Sequence, residues 1–328
     1  MSTPTVSPIT TSLPTIAEIK QAQELVYALM APTPQIAWPL LRERLGTDVW
    51  VKHENHTPIG AFKARTAIVY AAELFRDKHD IRGLVTATRG NHGQSVALAA
   101  RRFGVPAYVV MPKSNSAEKN AAMRAQGAQL IEFGSEYQES KEHAQRLAAE
   151  NGWHFVPSYH RNIVKGVATY WLEFFSAVPN LDVVYVPIGQ GSGICSCVAV
   201  RNGLQLRTRI IGVVPEGAPA YALSFEAKRT VEAPVTTLLG DGMACRAPDE
   251  ASLRIVLENV ERVATVSEEE IRQAMKIYFI DTHNVVEGAG AAGLAAALNE
   301  KTSLKGMRVG LVATGGNVDH DVFARVLA

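Results

Sequence analysis

The segment Val183-Val184-Tyr185-Val186-Pro187-Ile188 leads into Gly189-Gln190-Gly191-Ser192-Gly193 and then into an apolar helical segment, Ile194 to Leu204. A continuous run of β-branched and apolar residues predicts a strand that is buried on both faces, as in parallel sheets. Similar strand, turn and helix units recur along the chain. Their alternation predicts an α/β protein with two open, twisted, mostly parallel sheets flanked by helices.

The predicted units fall into two series, and a chain of 328 residues is long enough for two domains. One series of strands and helices, from about residue 50 to about residue 155, is self-contained. We therefore expect a small domain over residues 51–155. Residues 1–50 together with 156–328 are expected to form a large domain.

Composition excludes several classes of protein. A net charge of +1 gives no field that would attract nucleic acid or an anionic membrane, and no window of about 18 apolar residues occurs. Cys195, Cys197 and Cys245 fit neither a zinc site nor a disulfide framework. The segment from Met1 to Pro14 lacks the pattern of a leader peptide. We expect a cytoplasmic protein that binds neither membrane nor nucleic acid.

Four polar or glycine-rich turns follow predicted strands. They are Asn55 to Lys63, Thr88 to His92, Gly189 to Gly193, and Thr314 to Asn317. Ligands of open parallel sheets bind at the carboxyl ends of the strands, where the chain direction switches. These four turns are therefore the candidate ligand-binding segments.

Lys63 is the candidate nucleophile among these residues. A lysine is usually a solvated surface group, but Phe62 precedes this one and an apolar helix follows it. Apolar surroundings disfavour the charged form of an amine and so favour the neutral nucleophile that imine chemistry requires. Taken alone, the pattern leaves both interpretations open.

The turn Gly189 to Gly193 is either a flexible connection or a phosphate site. Glycines before a helix expose backbone amides that bind phosphate, which favours the second interpretation. A nicotinamide-dependent dehydrogenase is the main rival hypothesis, because G-x-G-x-x-G occurs at Gly288 to Gly293. That motif lacks an acidic residue about 20 positions downstream. We interpret it as the start of a tightly packed helix.

A pyridoxal phosphate enzyme requires at least a lysine that forms a Schiff base and a turn that binds phosphate. From about residue 15 onward, the chain resembles the fold-type II pyridoxal phosphate enzymes of the serine/threonine dehydratase and serine racemase group, which share a tryptophan synthase β-like architecture. The motifs that carry the resemblance are Phe62-Lys63-x-Arg65, Gly90 to Gln94, Gly189 to Ile194, Asp241 to Ala244, Glu287 to Ala291, and Thr314 to Asn317.

The resemblance implies a role for each matching residue. Lys63 would form the Schiff base with the cofactor and later move the Cα proton. The other residues implied to bind the cofactor are Phe62 beside the ring, Asn91 at the ring hydroxyl, Thr314 at the ring nitrogen, and Gly189, Gln190, Gly191, Ser192, Gly193 and Ile194 at the phosphate. Those expected to contact the substrate are Thr88, Arg89, Gly90, Asn91, His92, Gly242 and Glu287.

The resemblance also implies a reaction. This is β-elimination from a 3-hydroxy amino acid such as L-threonine or L-serine, which gives a 2-oxo acid and ammonia. A hydroxyl partner for the ring nitrogen favours elimination over transamination. The alternatives are a bulkier or acidic substrate such as phenylserine or 3-hydroxyaspartate, a racemase or β-replacement synthase on the same scaffold, and a non-catalytic binding module. A homodimer is expected.

Several residues depart from the family pattern. Ala61 replaces the motif serine, and Gln190 and Ser192 replace loop glycines. Arg89 stands where racemases of this group have a serine acid/base, and arginine is a poor proton shuttle, so we predict little racemisation. Arg89 could pair with a second carboxylate, as in a 3-hydroxyaspartate-like substrate, or only support the turn.

Two functional features of some family members are not expected here. Val214 and Ala220 stand where those members have cation-binding carboxylates, so no metal site is predicted. The chain ends soon after Asn317, which leaves no room for the regulatory domain of biosynthetic threonine dehydratases. Feedback inhibition by isoleucine is therefore not expected.

Overall fold

The computed structural model describes residues 12–78 and 80–328 of the chain. Most of the segment Met1 to Pro14, for which we expect no leader, lies outside these residues. The strands are β1 Gln35–Ile36, β2 Asp48–His53, β3 Leu84–Ala87, β4 Ala107–Met111, β5 Ala128–Glu132, β6 His154–Phe155, β7 Val183–Pro187, β8 Arg209–Pro215, β9 Arg262–Val266 and β10 Arg308–Ala313.

Helices lie between most of these strands. They are α1 Ile16–Tyr27, α2 Pro39–Leu45, α3 Ala64–Asp77, α4 Asn91–Arg102, α5 Ala117–Ala125, α6 Tyr137–Asn151, α7 Arg161–Ala177, α8 Ser192–Gly203, α9 Ala220–Ala227, α10 Glu250–Asn259, α11 Glu268–Thr282, α12 Gly288–Asn299 and α13 His320–Leu327. No helix in the described part of the chain has both the length and the apolar content needed to cross a lipid bilayer.

The strands form two sheets. The larger has the order β1-β2-β10-β7-β8-β9, and the smaller has the order β5-β4-β3-β6. Only the β1–β2 pair is antiparallel, and all other strand pairs are parallel. The predicted fold class is therefore confirmed.

The expected domain boundary at residue 50 falls inside a strand. Strand β2 pairs with β10 along its whole length, from Asp48 to His53, so this segment belongs to the six-stranded sheet. The boundary was drawn too early because the strand leads directly into the loop that carries Lys63. The strands of the smaller sheet lie between Leu84 and Phe155.

Helix α12 explains the G-x-G-x-x-G motif. Residues Gly288 to Ala297 of this helix are all buried against the larger sheet. A Cβ on Gly293 would lie 3.1 Å from the backbone oxygen of Tyr185, a close approach for a side chain. The glycines thus allow a helix to pack tightly on strands, as the sequence predicts, and we find no dinucleotide fingerprint here.

Some elements differ from the sequence expectation. Helix α4 begins at Asn91, within the predicted turn Thr88 to His92, and α8 begins at Ser192, two residues before the predicted Ile194. Polar and glycine residues at these helix starts hid the true boundaries. The edge strand β9, Arg262–Val266, was missed because it is only partly buried and therefore lacks a continuous apolar run.

Candidate active site

The four predicted turns meet at one place. The turns after β2, β7 and β10 lie at the carboxyl edge of the larger sheet, and the turn after β3 lies at that of the smaller sheet. The backbone N–H of Phe62 donates to the carbonyl of Thr314 at 2.9 Å. Asn317 Nδ2 donates to Asn91 Oδ1 at 2.7 Å. The structure therefore joins the lysine loop, the C-terminal turn and the β3 turn.

Lys63 faces the glycine-rich loop. Its Nζ lies 3.5 Å from Ser192 Oγ and 4.9 Å from the centroid of the Phe62 ring. Its carbonyl accepts hydrogen bonds from Thr66 Oγ1 at 2.8 Å and from Ser95 Oγ, which fixes the turn that begins α3. Burial lowers the pKa of Lys63 to about 8. A neutral amine is thus accessible near physiological pH.

The loop Gly189 to Gly193 depends on glycine geometry. Gly191 precedes α8 with φ +93°, and a Cβ there would lie 1.7 Å from Ser252 Oγ. The carbonyl of Gly193 accepts from Trp171 Nε1 at 3.1 Å and from Ser196 Oγ at 2.7 Å. The first amides of α8 have no partner within the helix, and they present partial positive charge to an anion.

Other residues that are expected at the site lie within this loop or next to it. Gln190 Nε2 donates to Cys245 Sγ at 3.3 Å, and the Ile194 side chain is fully buried, so only its backbone can reach a ligand. A Cβ on Gly189 would lie 2.6 Å from the carbonyl oxygen of Gly242. Gly242, which is expected to contact the substrate, lies against the glycine loop.

The turn from Thr88 to His92 leaves the N-terminus of α4 uncapped. Thr88 Oγ1 accepts from the Gly90 amide at 3.2 Å, and no side chain caps α4 itself. Thr88 is therefore not the N-cap. Burial, together with the nearby Lys63 charge, lowers the pKa of His92 to about 3, and its Nδ1 is buried without a partner among the described residues. The exposed helix amides can bind a carboxylate.

Asn91 and Glu287 form the floor of the site. Asn91 Nδ2 donates to both carboxylate oxygens of Glu287, at 2.9 and 3.1 Å. Burial, together with the Asp241 carboxylate, raises the pKa of Glu287 to about 7. Glu287, which is expected to contact the substrate, thus also holds the Asn91 amide, which is expected to meet the cofactor ring.

Thr314 lies beside the lysine loop. Its residue is buried, and the following Gly315 forms a β-bridge with Ala61. In the described part of the chain its hydroxyl has no hydrogen-bond partner among protein groups. The hydroxyl is thus available to a ligand next to Phe62.

Sequence reasoning missed a buried ionic network behind Lys63. Arg65 Nε donates to Glu54 at 2.8 Å, and Arg65 Nη1 donates to Glu173 at 2.6 Å. Lys52 Nζ also donates to Glu173 at 2.6 Å. Two cations and two anions balance, as buried charges require. A glutamate within the apolar run Tyr170 to Phe175 was the available signal.

A cleft opens onto this floor from outside. Glu287 and Asn317, both bonded to Asn91, line its base, and Arg89 lines one wall. One wall belongs to the smaller sheet and its helices, and the other to the segments around Leu238 and Val318. The cleft therefore borders the floor of the site.

The combination of an amine, a phosphate loop and an uncapped helix is matched by a known family. Residues 26–315 match the family described as pyridoxal-phosphate dependent enzyme. This chain belongs to that family. As a pyridoxal-phosphate dependent enzyme, it is 35% identical to the L-threonine ammonia-lyase of Thermotoga maritima over 315 residues, which cover 95% of this chain and 78% of that protein.

Other relatives cover the whole length of this pyridoxal-phosphate dependent enzyme. The L-threo-3-hydroxyaspartate ammonia-lyase of Saccharomyces cerevisiae is 31% identical, with 96% of this chain and 97% of that protein covered. The structure of maize serine racemase superposes with a TM-score of 0.88 at 28% identity, covering 96% of this chain and 97% of that one. Both relatives therefore match this chain over nearly their whole length.

The residues present fit pyridoxal phosphate. Lys63 Nζ offers an amine to an aldehyde, and the α8 amides beside it offer a site for a phosphate. The absence of a Cβ at Gly191 keeps this loop close to Ser252, so that the helix start remains open. A planar ring between the two would have Phe62 and the Thr314 hydroxyl as neighbours. The amine and the glycine-rich helix start thus fit the cofactor of this family.

Proposed function

We propose that this enzyme eliminates water from 3-hydroxy amino acids, that hydrolysis of the product then releases ammonia, and that the enzyme so acts as an ammonia-lyase. The observation that carries the proposal is the 3.5 Å approach of Lys63 Nζ to Ser192 of the glycine loop, with the uncapped α4 helix joined to the same site through Asn91. The names of the threonine and hydroxyaspartate ammonia-lyases among its relatives support the same reaction class.

We propose the following roles for the cofactor contacts. Pyridoxal phosphate, when bound, withdraws electrons from the Cα atom of an amino acid that is joined to its aldehyde carbon. Lys63 holds the cofactor through Nζ, and the backbone amides from Gly189 to Ile194, including those of Gln190, Ser192 and Gly193, hold its phosphate. Phe62 packs beside the ring, Asn91 meets its hydroxyl, and Thr314 meets its nitrogen.

The remaining steps belong to the substrate side of the site. The amides at the start of α4, at Gly90, Asn91 and His92, bind the substrate carboxylate together with Thr88. The Lys63 amine then takes the Cα proton, since its lowered pKa of about 8 leaves an adequate neutral fraction. The 3-hydroxyl leaves as water, and hydrolysis of the product yields a 2-oxo acid and ammonia.

Racemisation is the second candidate function, because serine racemases are among the relatives. It requires a proton donor on the side of Cα opposite Lys63. Arg89 is the residue that replaces the serine of racemases, and a guanidinium does not shuttle protons near neutral pH. We therefore expect little racemisation.

We also propose a cytoplasmic homodimer in which residues 54–155 form the small domain. Leu40 on α2 and Ile280 on α11 expose 51% and 47% of their surfaces, and these two helices pack together. Paired apolar side chains of this kind suit a subunit interface. Light scattering after size-exclusion chromatography measures the mass, and a monomer at micromolar concentration would contradict the dimer.

The function is tested by product analysis. The cofactor-loaded enzyme is incubated with serine, threonine, phenylserine and both diastereomers of 3-hydroxyaspartate, and released ammonia and 2-oxo acid are measured together. We expect the two products in equal amounts from at least one substrate, and none from the Lys63→Ala variant. Racemised amino acid without ammonia would instead favour the second candidate.

A further inference from the structure

We propose that Arg89 binds an anionic group on the substrate side chain, so that the preferred class of substrate is a 3-hydroxy amino acid with a second carboxylate. This inference rests on the proposed function and assigns a specificity residue to it. Arg89 lies directly before Gly90 and Asn91, within the turn that is proposed to bind the α-carboxylate. A substrate held there would present its Cβ substituent to the adjoining cleft.

The position of Arg89 places its charge in the cleft that borders the site. It is exposed and lines the cleft whose base is formed by Glu287 and Asn317. Asn115 Nδ2 donates to the Arg89 carbonyl at 3.1 Å and to Asn120 Oδ1 at 2.6 Å. The backbone below the guanidinium is therefore fixed, although the charged group itself remains accessible to solvent.

Each acidic side chain of the cleft has a hydrogen-bond donor, whereas Arg89 has no acceptor among the described residues. Lys119 Nζ donates to Asp241, Asn91 donates to Glu287, and Ser116 Oγ donates to Asp319 at 2.7 Å. Across residues 12–78 and 80–328, the Arg89 guanidinium makes no hydrogen bond or ion pair with a protein group. The carboxylates of the cleft thus already have donors, and one cation is left for a ligand.

The location of Arg89 is also unfavourable for the protein alone. A cation beside a helix N-terminus opposes the helix dipole, and α4 has no acidic residue in its first turn to offset it. An anion bound here would interact favourably with both the guanidinium and the helix amides. A carboxylate matches the planar guanidinium with two parallel hydrogen bonds, which a threonine methyl or serine hydrogen cannot form.

The first test compares two substrates in one variant. For Arg89→Ala, we expect kcat/KM for L-threo-3-hydroxyaspartate to fall about 10- to 100-fold, the usual effect of losing a charge-assisted pair, while kcat/KM for L-threonine changes less than about threefold. Arg89→Lys keeps the charge but loses the two parallel donors of the guanidinium, so its kcat/KM for L-threo-3-hydroxyaspartate should lie between those of wild type and Arg89→Ala. Arg102→Ala, which removes an exposed arginine from the far end of α4, is the matched control.

The second test measures binding without elimination. L-Aspartate and L-alanine lack the 3-hydroxyl, so calorimetric titration of the cofactor-loaded enzyme reports recognition alone. We expect Arg89→Ala to weaken aspartate about 10- to 100-fold and to leave alanine unchanged. If aspartate affinity falls in this way but no 3-hydroxy amino acid releases ammonia, the proposed function fails and the role of Arg89 stands.

Other outcomes would overturn the inference. An equal loss of kcat/KM for hydroxyaspartate and threonine would show that Arg89 only supports the turn. An unchanged preference between the two substrates, or equal affinity of wild type and Arg89→Ala for aspartate, would remove any contact with a second carboxylate. Circular dichroism and the melting temperature of each variant confirm that the comparison concerns folded protein.

Discussion

The glycine loop Gly189 to Gly193 and the turn Thr88 to His92 both follow a buried parallel strand and both precede a helix. The glycine loop is shaped by backbone conformation, because Gly191 has φ +93° and no room for a Cβ. The β3 turn is instead joined to the larger sheet by side chains, through the contacts of Asn91 with Glu287 and Asn317. The conformation of the glycine loop is therefore set by its own backbone, whereas the position of the β3 turn depends on hydrogen bonds between the two sheets.

The largest effect is expected at the residue between these two regions. Replacing Lys63 with alanine removes both the cofactor amine and the base for the Cα proton, so we expect the elimination rate to fall about 10⁴-fold or more. Ammonia release under saturating cofactor measures it. A loss of less than about tenfold would mean that another group performs the proton transfer.

A second prediction compares Gly191 and Gly193, two glycines of the glycine loop. In Gly191→Ala, the new Cβ would meet Ser252 at a strained φ, and we expect a loss of about 2–4 kcal/mol in the free energy of unfolding. Gly193→Ala is the control, because its Cβ would meet only the Pro187 carbonyl at 3.8 Å within a helix. Urea unfolding of the apoprotein measures both. Equal stability of the two variants would contradict the conclusion that Gly191 has no room for a Cβ.

A third prediction concerns the β3 turn, which side-chain hydrogen bonds join to the larger sheet. Asn91→Ala leaves the buried Glu287 without its amide donor, and we expect a loss of about 1–3 kcal/mol in the free energy of unfolding near pH 8. Because the pKa of Glu287 is raised to about 7, the carboxyl is neutral at pH 5.5, and the loss should be smaller there.

The pH dependence of this third effect follows from the sign of the shift. A carboxyl whose pKa is higher in the folded state stabilises the fold below its ordinary pKa of 4.5, and this contribution is lost as the pH rises through about 7. Urea unfolding at pH 5.5 and pH 8 compares the variant with wild type. A loss that is independent of pH would show that Asn91 does not act through the Glu287 carboxylate.

The smallest effect concerns the rate of cofactor capture. Burial lowers the pKa of Lys63 from 10.5 to about 8, so the neutral fraction of its amine rises about tenfold between pH 7 and pH 9. The rate at which apoprotein forms a Schiff base should rise by the same factor and level off above pH 9. Absorbance stopped-flow at fixed cofactor concentration measures it, and a continued rise to pH 10.5 would show an unshifted lysine.

The difference between the glycine loop and the β3 turn also explains which features the sequence predicts and which it does not. The order of strand, glycine turn and helix around Gly191 is local, so the fold class and the glycine loop follow from periodicity and composition. The bonds from Asn91 to Glu287 and from Arg65 to Glu173 join residues that are distant in the chain. No local pattern specifies such pairs, and only the packing of the two sheets brings them together.

The sequence likewise predicts local segments better than the tertiary contacts of single residues. The roles expected for Lys63 and Gly191 rest on segments whose conformation the sequence sets. Gly242 is expected at the substrate from its motif, and its contact with Gly189 depends on tertiary packing that the motif does not specify. The predicted turn Thr88 to His92 extends past the start of α4 at Asn91, because glycine and polar residues there have the composition of a loop.

The most direct test of the account is to locate the lysine that carries the cofactor. The protein is saturated with pyridoxal phosphate, reduced with borohydride, digested, and its peptides are sequenced by mass spectrometry. We predict one pyridoxyl-phosphate adduct, on Lys63 in the peptide that contains Phe62, and no such adduct in Lys63→Ala. An adduct on another lysine, or none in saturated wild-type protein, would contradict the assignment of this site.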